Sequence, residues 1–540
     1  MSERPQQKQN FLRGTAVLAA ATAIVKLLGM LYKIPLGNII GDAGFGYFTT
    51  AYDIYSVLLM VSTTGLPVAM SRMISEAAAL GNTAQIKKIF RVAMGVFLAL
   101  GIFGAALMAV FCRQLSVLAT SFDTSWAAIL FLAPSMLLIC IISAFRGFFQ
   151  GQSNMTPTSV SQVFEALCKL VVGLAAALVL LRTTQNVSLA AGGAILGVTT
   201  GCAVSAGYLW HQYRKALRGT DYTLGTEKPS GQTVKELLAI AVPITIGSAG
   251  LQLINLVDTM VFMRRLTGAA GFGQDAAEAA KGVYNFCQSI FNLPCAFIPP
   301  ITISIIPAIT ERLTCGDHRA AKEVGDSSTR LMGLVAAPCA VGLAVLSGPI
   351  LRLLRGYSGD TLRMGGAMLA ILAAAVLFNS LVLLTNAIMQ AHGQVTRPVI
   401  HMFIGGVVKV IVNYLLVGIP SVNIIGAPIG TLCCYAVISV LNLIAMRRLG
   451  GSFRFSPLRS LGKPLAAAAV MGAAALGANR VLSAVLPSQK LACLGAVAIA
   501  AVVYVFFVLL LRTVTYEDCL LLPKGEKIAK ILKIMPKNEK

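Results

Sequence analysis

Lys26 and Lys33 stand one heptad apart inside an unbroken apolar run, TAVLAAATAIVKLLGMLYKIPL, residues 15–36. Seven residues of α-helix are about two turns and on the order of 10 Å, so both ammonium groups fall on one stripe, with Gly29 and Met30 between them. A lysine at the centre of a bilayer costs roughly 2.5–3.5 kcal/mol on insertion scales, and such a side chain normally faces protein or a water-filled cavity. The spacing therefore predicts a cavity with a positive wall, suited to an anionic amphiphile.

Other polar residues recur at helical spacing. Asn255, Asp258, Phe262 and Arg265 follow i, i+3, i+7, i+10 and share a face. Asp258 is the acid of that face: desolvated, it either exchanges a proton near neutral pH or coordinates a cation, and otherwise it is satisfied by a neighbouring lysine. Asn285, Gln288 and Asn292 form a second amide face, just before Pro294, Pro299 and Pro300, where a bend or break in the helix is expected. Asn379, Asn386 and Gln390 form a third. Amides suit sugar hydroxyls, and they also hold helices together. Asp53 lies among Tyr47, Tyr52 and Tyr55. Glu165 and Lys169, spaced i, i+4, are expected to neutralise each other. Arg146 either meets phosphate bidentately or anchors its helix at the interface. Gly193, Gly197 and Gly201 make a GxxxGxxxG packing seam.

No nucleophile triad, Walker loop, dinucleotide fingerprint or zinc spacing is present, so neither an enzyme nor an ATP-driven pump is expected. Transport would draw on an ion gradient, the membrane potential or the substrate's own gradient. No cofactor is expected, only Na⁺ or H⁺ as a coupling ion. The twelve cysteines form no CxxC pair and read as small buried hydrophobes.

The elements that must position these residues follow from composition. Mean hydropathy is +0.78, hydrophobic residues are 56% of the chain and charged residues 12%, about half the charged share of a soluble domain. Apolar runs of membrane length recur from residue 11 to residue 513, and fourteen spans are expected. The net charge of +23 does not require nucleic acid. With fourteen spans and a cytoplasmic N-terminus, thirty of the 44 Lys and Arg fall on one side and ten, Lys281 among them, on the other. That is the positive-inside pattern, with both termini cytoplasmic and the excess charge meeting anionic lipid.

Two internal matches indicate duplication. At an offset of 235, Ser75 and Glu76 meet Thr310 and Glu311, Gly81 and Asn82 meet Gly316 and Asp317, and Lys87 meets Lys322. At an offset of 240, Gln150 meets Gln390, Thr156 meets Thr396 and Lys169 meets Lys409. The expected fold is an all-α integral membrane protein of two six-helix lobes, 1–212 and 236–447, joined by a cytoplasmic linker, 213–235. Two extra helices occupy 448–513, and a basic amphipathic tail, 514–540, lies on the inner leaflet or frays in solution. Six helices per copy make the repeats parallel, with substrate near mid-membrane.

TAIVKLLGMLYKIPLGNIIGDAGFGYF, GLPVAMSRMISEA and FRGFFQGQSNMTPTSVSQVFE resemble the polysaccharide-transporter branch of the multidrug/oligosaccharidyl-lipid/polysaccharide exporter superfamily, over nearly the whole chain. Within that branch the likeness is to the lipid II flippase and stage V sporulation groups. The resemblance implies an alternating-access flippase for an undecaprenyl-linked sugar in the cell membrane, serving cell-wall or spore-cortex synthesis. Lys26 and Lys33 take the place of cavity arginines found early in the first helix of lipid II flippases, keeping the charge without the bidentate geometry. On this reading Lys26, Lys33 and Arg265 hold a diphosphate, Asn255, Asn285, Gln288 and Asn292 contact sugar or peptide, Asp53 lines the cavity, and Asp258 couples the ion. The expected partners are the lipid-linked oligosaccharide, membrane lipids and cell-wall synthesis proteins. The alternatives are a cation-coupled multidrug antiporter of the same fold, which needs a net negative cavity, and a non-transporting scaffold for wall-synthesis enzymes.

Overall fold

The computed structural model describes residues 4–219, 223–447, 457–511 and 513. The basic tail, 514–540, and residues 448–456 lie outside the described residues. Among the described residues there are seventeen α-helices and no strand. Among the described residues eleven helices are long and apolar enough to cross a membrane, and the protein is a multi-span membrane protein. Fourteen spans were expected from the apolar runs. One reason for the difference is that the first two runs are joined in a single helix, α1 (Arg4–Met60), bent at Gly41. Gly41 has φ 71 and ψ −174, a left-handed conformation that other residues rarely adopt. A π-turn, Val61–Gly65, leads on into α2 (Leu66–Ala79).

The chain divides into two compact units, Met1–Phe286 and Cys287–Lys540. The first holds α1, α2, α3 (Thr83–Val110), α4 (Cys112–Thr120), α5 (Trp126–Gly151), α6 (Thr156–Thr184), α7 (Val187–Gly219), α8 (Ser230–Gly268) and the start of α9 (Gln274–Cys295). Its most extensive packing is α6 on α7, and the glycine seam explains it. A Cβ at Gly193 would lie 2.8 Å from the Ala176 carbonyl, one at Gly197 2.4 Å from the Gly173 nitrogen, and one at Gly201 2.9 Å from the Glu165 carbonyl. The α7 backbone can lie this close to α6 only because those side chains are missing.

The second unit holds the rest of α9, then α10 (Ile298–Thr314), α11 (His318–Val345), α12 (Ser347–Arg355), α13 (Gly359–Ala391), α14 (Thr396–Val417), α15 (Gly426–Arg447), α16 (Pro457–Val485) and α17 (Gln489–Leu510). The expected break at the proline cluster is present: α9 ends at Cys295, and a turn in which Phe297 N–H donates to the Pro294 carbonyl precedes α10. α16 and α17 pair with each other, and α16 packs on α11.

The duplication is visible in the helix ends. Asn82 caps α3 by accepting from Gln85 N–H, and Asp317 caps α11 by accepting from Ala320 N–H. The glycines before these caps, Gly81 and Gly316, have φ 68 and 75. The short helices α4 and α12 both close on a left-handed residue, Ser121 at φ 69 and Gly356 at φ 68. α6 starts at Thr156 and α14 at Thr396, the two residues matched in the sequence. A Ser/Thr/Asn/Asp cap and a left-handed turn stop and restart a helix at fixed places, and the helices they bound keep their lengths, 28 residues in α3 and α11 and nine in α4 and α12.

Candidate functional site

Beyond the Gly41 bend, α1 carries FGYFTTAYDIY, residues 45–55, whose aromatic residues recur at three- and four-residue steps. Their rings pack in series: Phe45 to Phe48 at 6.0 Å, Phe48 to Tyr52 at 4.8 Å and Tyr52 to Tyr55 at 6.1 Å. Tyr32, from before the bend, joins Phe48 at 5.9 Å and is pinned by donating its hydroxyl to the Ala194 carbonyl on α7. Onto this floor α6 lowers Lys169. Its Nζ lies 4.5 Å from the Tyr52 ring centre, 5.1 Å from Tyr32 and 5.7 Å from Phe48. Each such contact contributes roughly 0.5–2 kcal/mol, more where water is excluded.

The expected Glu165–Lys169 pair is corrected by this geometry. Glu165 is taken by Arg146, whose Nη2 lies 2.7 Å from Oε1, and the same guanidinium donates to the Ser161 hydroxyl. A planar fork reaching across from α5 outcompetes a lysine one turn along α6. Arg146 is therefore occupied by protein, and among the described residues Lys169 has no carboxylate at ion-pair distance. Lys33 lies half-buried nearby, close enough for its charge to act on both Lys169 and Asp53. Two lysine side chains are thus near enough to interact, one of them lying on an aromatic surface.

Asp53 is drawn the other way. Its Oδ2 is 3.6 Å from Lys281 Nζ on α9 and accepts from the Thr259 hydroxyl of α8 at 3.4 Å. Lys281 is fully buried and also donates to the Thr50 hydroxyl. One turn on, Asn285 donates to the Thr49 hydroxyl at 2.7 Å. α9 can approach α1 this closely because Gly46 and Gly282 face it: a Cβ on Gly282 would lie 1.9 Å from the Asp42 carbonyl, and one on Gly46 2.6 Å from that of Glu278. Charge counting along the topology used Lys281 only as one of the outer-side charges, whereas the structure buries it in this network. The signal was present in the amide face, because Glu278, Lys281, Asn285, Gln288 and Asn292 continue one i, i+3, i+7 stripe.

The remaining sequence candidates are more dispersed. Lys26 is exposed on a stretch of α1 where Ile24, Leu27 and Leu31 are also exposed. Asp258 is buried in α8, one residue before Thr259. Asn255 is exposed and donates to Gln252 on its own helix, and Arg265 is half-buried near the α8 end. Gln288 and Asn292 belong to the second unit, half-buried and exposed respectively. There Asn386 accepts from Asn442, which also donates to Thr385 and meets His401. These amides tie α13, α14 and α15 together.

This architecture has counterparts among known proteins. The chain is 27% identical to an uncharacterised membrane protein, YabM, of Bacillus subtilis (strain 168), over 97% of each chain. It is 25% identical to the lipid II flippase MurJ of that organism over 86% of this chain and 87% of the relative. It is 24% identical to stage V sporulation protein B, again of B. subtilis, over 82% and 84%. A solved lipid II flippase MurJ in an inward closed conformation matches 94% of this chain and all of its own, with a TM-score of 0.69 at 12% identity, a likeness of fold. The fold is that of the multidrug/oligosaccharidyl-lipid/polysaccharide superfamily transporters. The MatE family matches residues 243–415. The polysaccharide biosynthesis protein family matches residues 11–312, more than half of the chain, and the protein belongs to that family.

Proposed function

We propose that the protein is an alternating-access flippase that moves an undecaprenyl-linked anionic glycolipid, lipid II or a related polysaccharide precursor, across the cytoplasmic membrane for wall or spore-cortex synthesis. The observation that carries this reading is Lys169 over the rings of Tyr32, Phe48 and Tyr52, with the charge of Lys33 acting on it. Adjacent ammonium groups repel, and an anion between them relieves the repulsion. Lysine binds phosphate as a point charge, so the pair selects for charge more than for shape. Aromatic faces beside it suit the apolar face of a sugar ring. Asp53 would compete for the lysines, but its pairing with Lys281 holds it back.

Exposed Lys26 gives the headgroup a first contact, and Arg265 a further cation. Asn255, Asn285, Gln288 and Asn292 meet sugar or peptide, and the prenyl tail stays in lipid. Asp258 couples transport to Na⁺ or H⁺. The chain acts by transport and not by covalent chemistry, with both termini on the cytoplasmic side as the distribution of Lys and Arg requires.

The match of residues 243–415 to the MatE family favours a second reading, a multidrug antiporter. That activity wants negative charge where this site carries two ammonium groups. A headgroup-protection assay in vesicles separates the two. Purified protein is expected to expose prenyl-diphosphate sugars to an external trap and to leave an organic cation such as ethidium untransported. Ethidium transport without headgroup movement would overturn the flippase reading.

A further inference from the structure

Glu278 is not used by the flippase account. It is fully buried on α9, one turn before Lys281. Its Oε1 accepts from the Thr124 hydroxyl at 3.3 Å, while Oε2 is enclosed and has no hydrogen-bond partner among the described residues. No basic group lies at ion-pair distance from it among the described residues. Lys281, the nearest cation on its own helix, spends its ammonium on Thr50 and Asp53. A carboxylate held without counter-ion in an apolar enclosure neutralises itself by taking a proton.

We infer that Glu278 is a proton-binding site, held as the neutral acid in this conformation. The surroundings favour a proton over a metal cation. A hard cation gathers about six oxygens, whereas Oε2 faces the bare side of Gly46, where an added Cβ would sit 3.2 Å away. Of the groups around the carboxyl, Lys281 acts on it with positive charge, from an ammonium already bonded to Thr50 and Asp53. α1 presents Tyr47, which senses both Glu278 and Asp275, and further along it Asp42 and Asp53. The connection from α4 to α5 contributes Thr124 beside Asp123, and α4 itself the Thr120 hydroxyl. α9 adds Asp275 and the committed Lys281. The enclosure is made by α9 lying on α1 at Gly46 and Gly282. If α9 lifts from α1 the carboxyl is wetted and releases its proton, so the contact between these helices and the protonation of Glu278 rise and fall together.

The test reads protonation directly and does not depend on the flippase reading. Infrared difference spectra of the full-length protein in vesicles, taken while pH is stepped through neutrality, are expected to show a protonated-carboxyl C=O band. That band should vanish in Glu278→Gln, move in Glu278→Asp and persist in Asp258→Asn. A band absent from the wild type at pH 7, or unchanged in both Glu278 variants, overturns the inference. So does a thermal stabilisation by sodium chloride over choline chloride that Glu278→Gln abolishes, because the ligand would then be a metal cation.

Discussion

Removing Asp53 and removing Lys281 are not equivalent changes. Lys281 is fully buried, while the Asp53 side chain keeps 35% of its exposure. Asp53→Ala strands a buried ammonium on the Thr50 hydroxyl and is expected to cost about 3–5 kcal/mol, the usual penalty for breaking a buried pair. Lys281→Met leaves a carboxylate that water still reaches and should cost distinctly less. The double variant should recover much of the Asp53→Ala loss. Melting curves of the purified protein in detergent, read as a double-mutant cycle, check this ordering. Equal losses for the two single variants would refute it. At this scale the sequence was partly legible. The i, i+3, i+7 stripe on α9 marked Asn285 and extends to Lys281, yet topology counting used that lysine only as an outer-side charge. The partner of Glu165 was not legible, because Lys169 is its neighbour along the helix and Arg146 its neighbour only in space.

Helix contacts in this protein rest on missing side chains as much as on present ones. Gly197 on α7 has the Gly173 backbone against it, whereas Gly207 on the same helix has nothing within 4 Å of an added Cβ. Gly197→Val is therefore expected to abolish monodisperse protein, since α6 and α7 would have to separate. Gly207→Ala should fold normally and gain about 0.5–1 kcal/mol from helix propensity. Size-exclusion profiles and melting temperatures of the pair decide the matter, and equal behaviour would contradict the seam. The seam was readable as GxxxGxxxG, and so were the repeat boundaries, because caps and left-handed turns are local chemistry. The Gly46 and Gly282 approach was not, since a lone glycine does not announce which backbone it will meet.

Over the whole molecule, an apolar composition with its charges gathered at the ends of spans was enough to read a helical membrane protein. The motifs in its first half pointed to the family that matches residues 11–312. What sequence could not supply was the pairing of charges across helices. Lys26 and Lys33 share a stripe one heptad apart, but it is Lys169, far along the chain, on which the charge of Lys33 acts. Glu165, the natural neutraliser of Lys169, is diverted to Arg146. The proposed function depends on the charge that Lys33 and Lys169 present to a substrate. The most direct test is headgroup protection of a prenyl-diphosphate sugar in vesicles with Lys33→Gln and Lys169→Gln, singly and together. Each single variant is expected to slow flipping at least tenfold, and the pair to abolish it, while Lys169→Arg retains most of the activity. Flipping at the wild-type rate in the double variant would contradict the claim that this pair carries the substrate's charge.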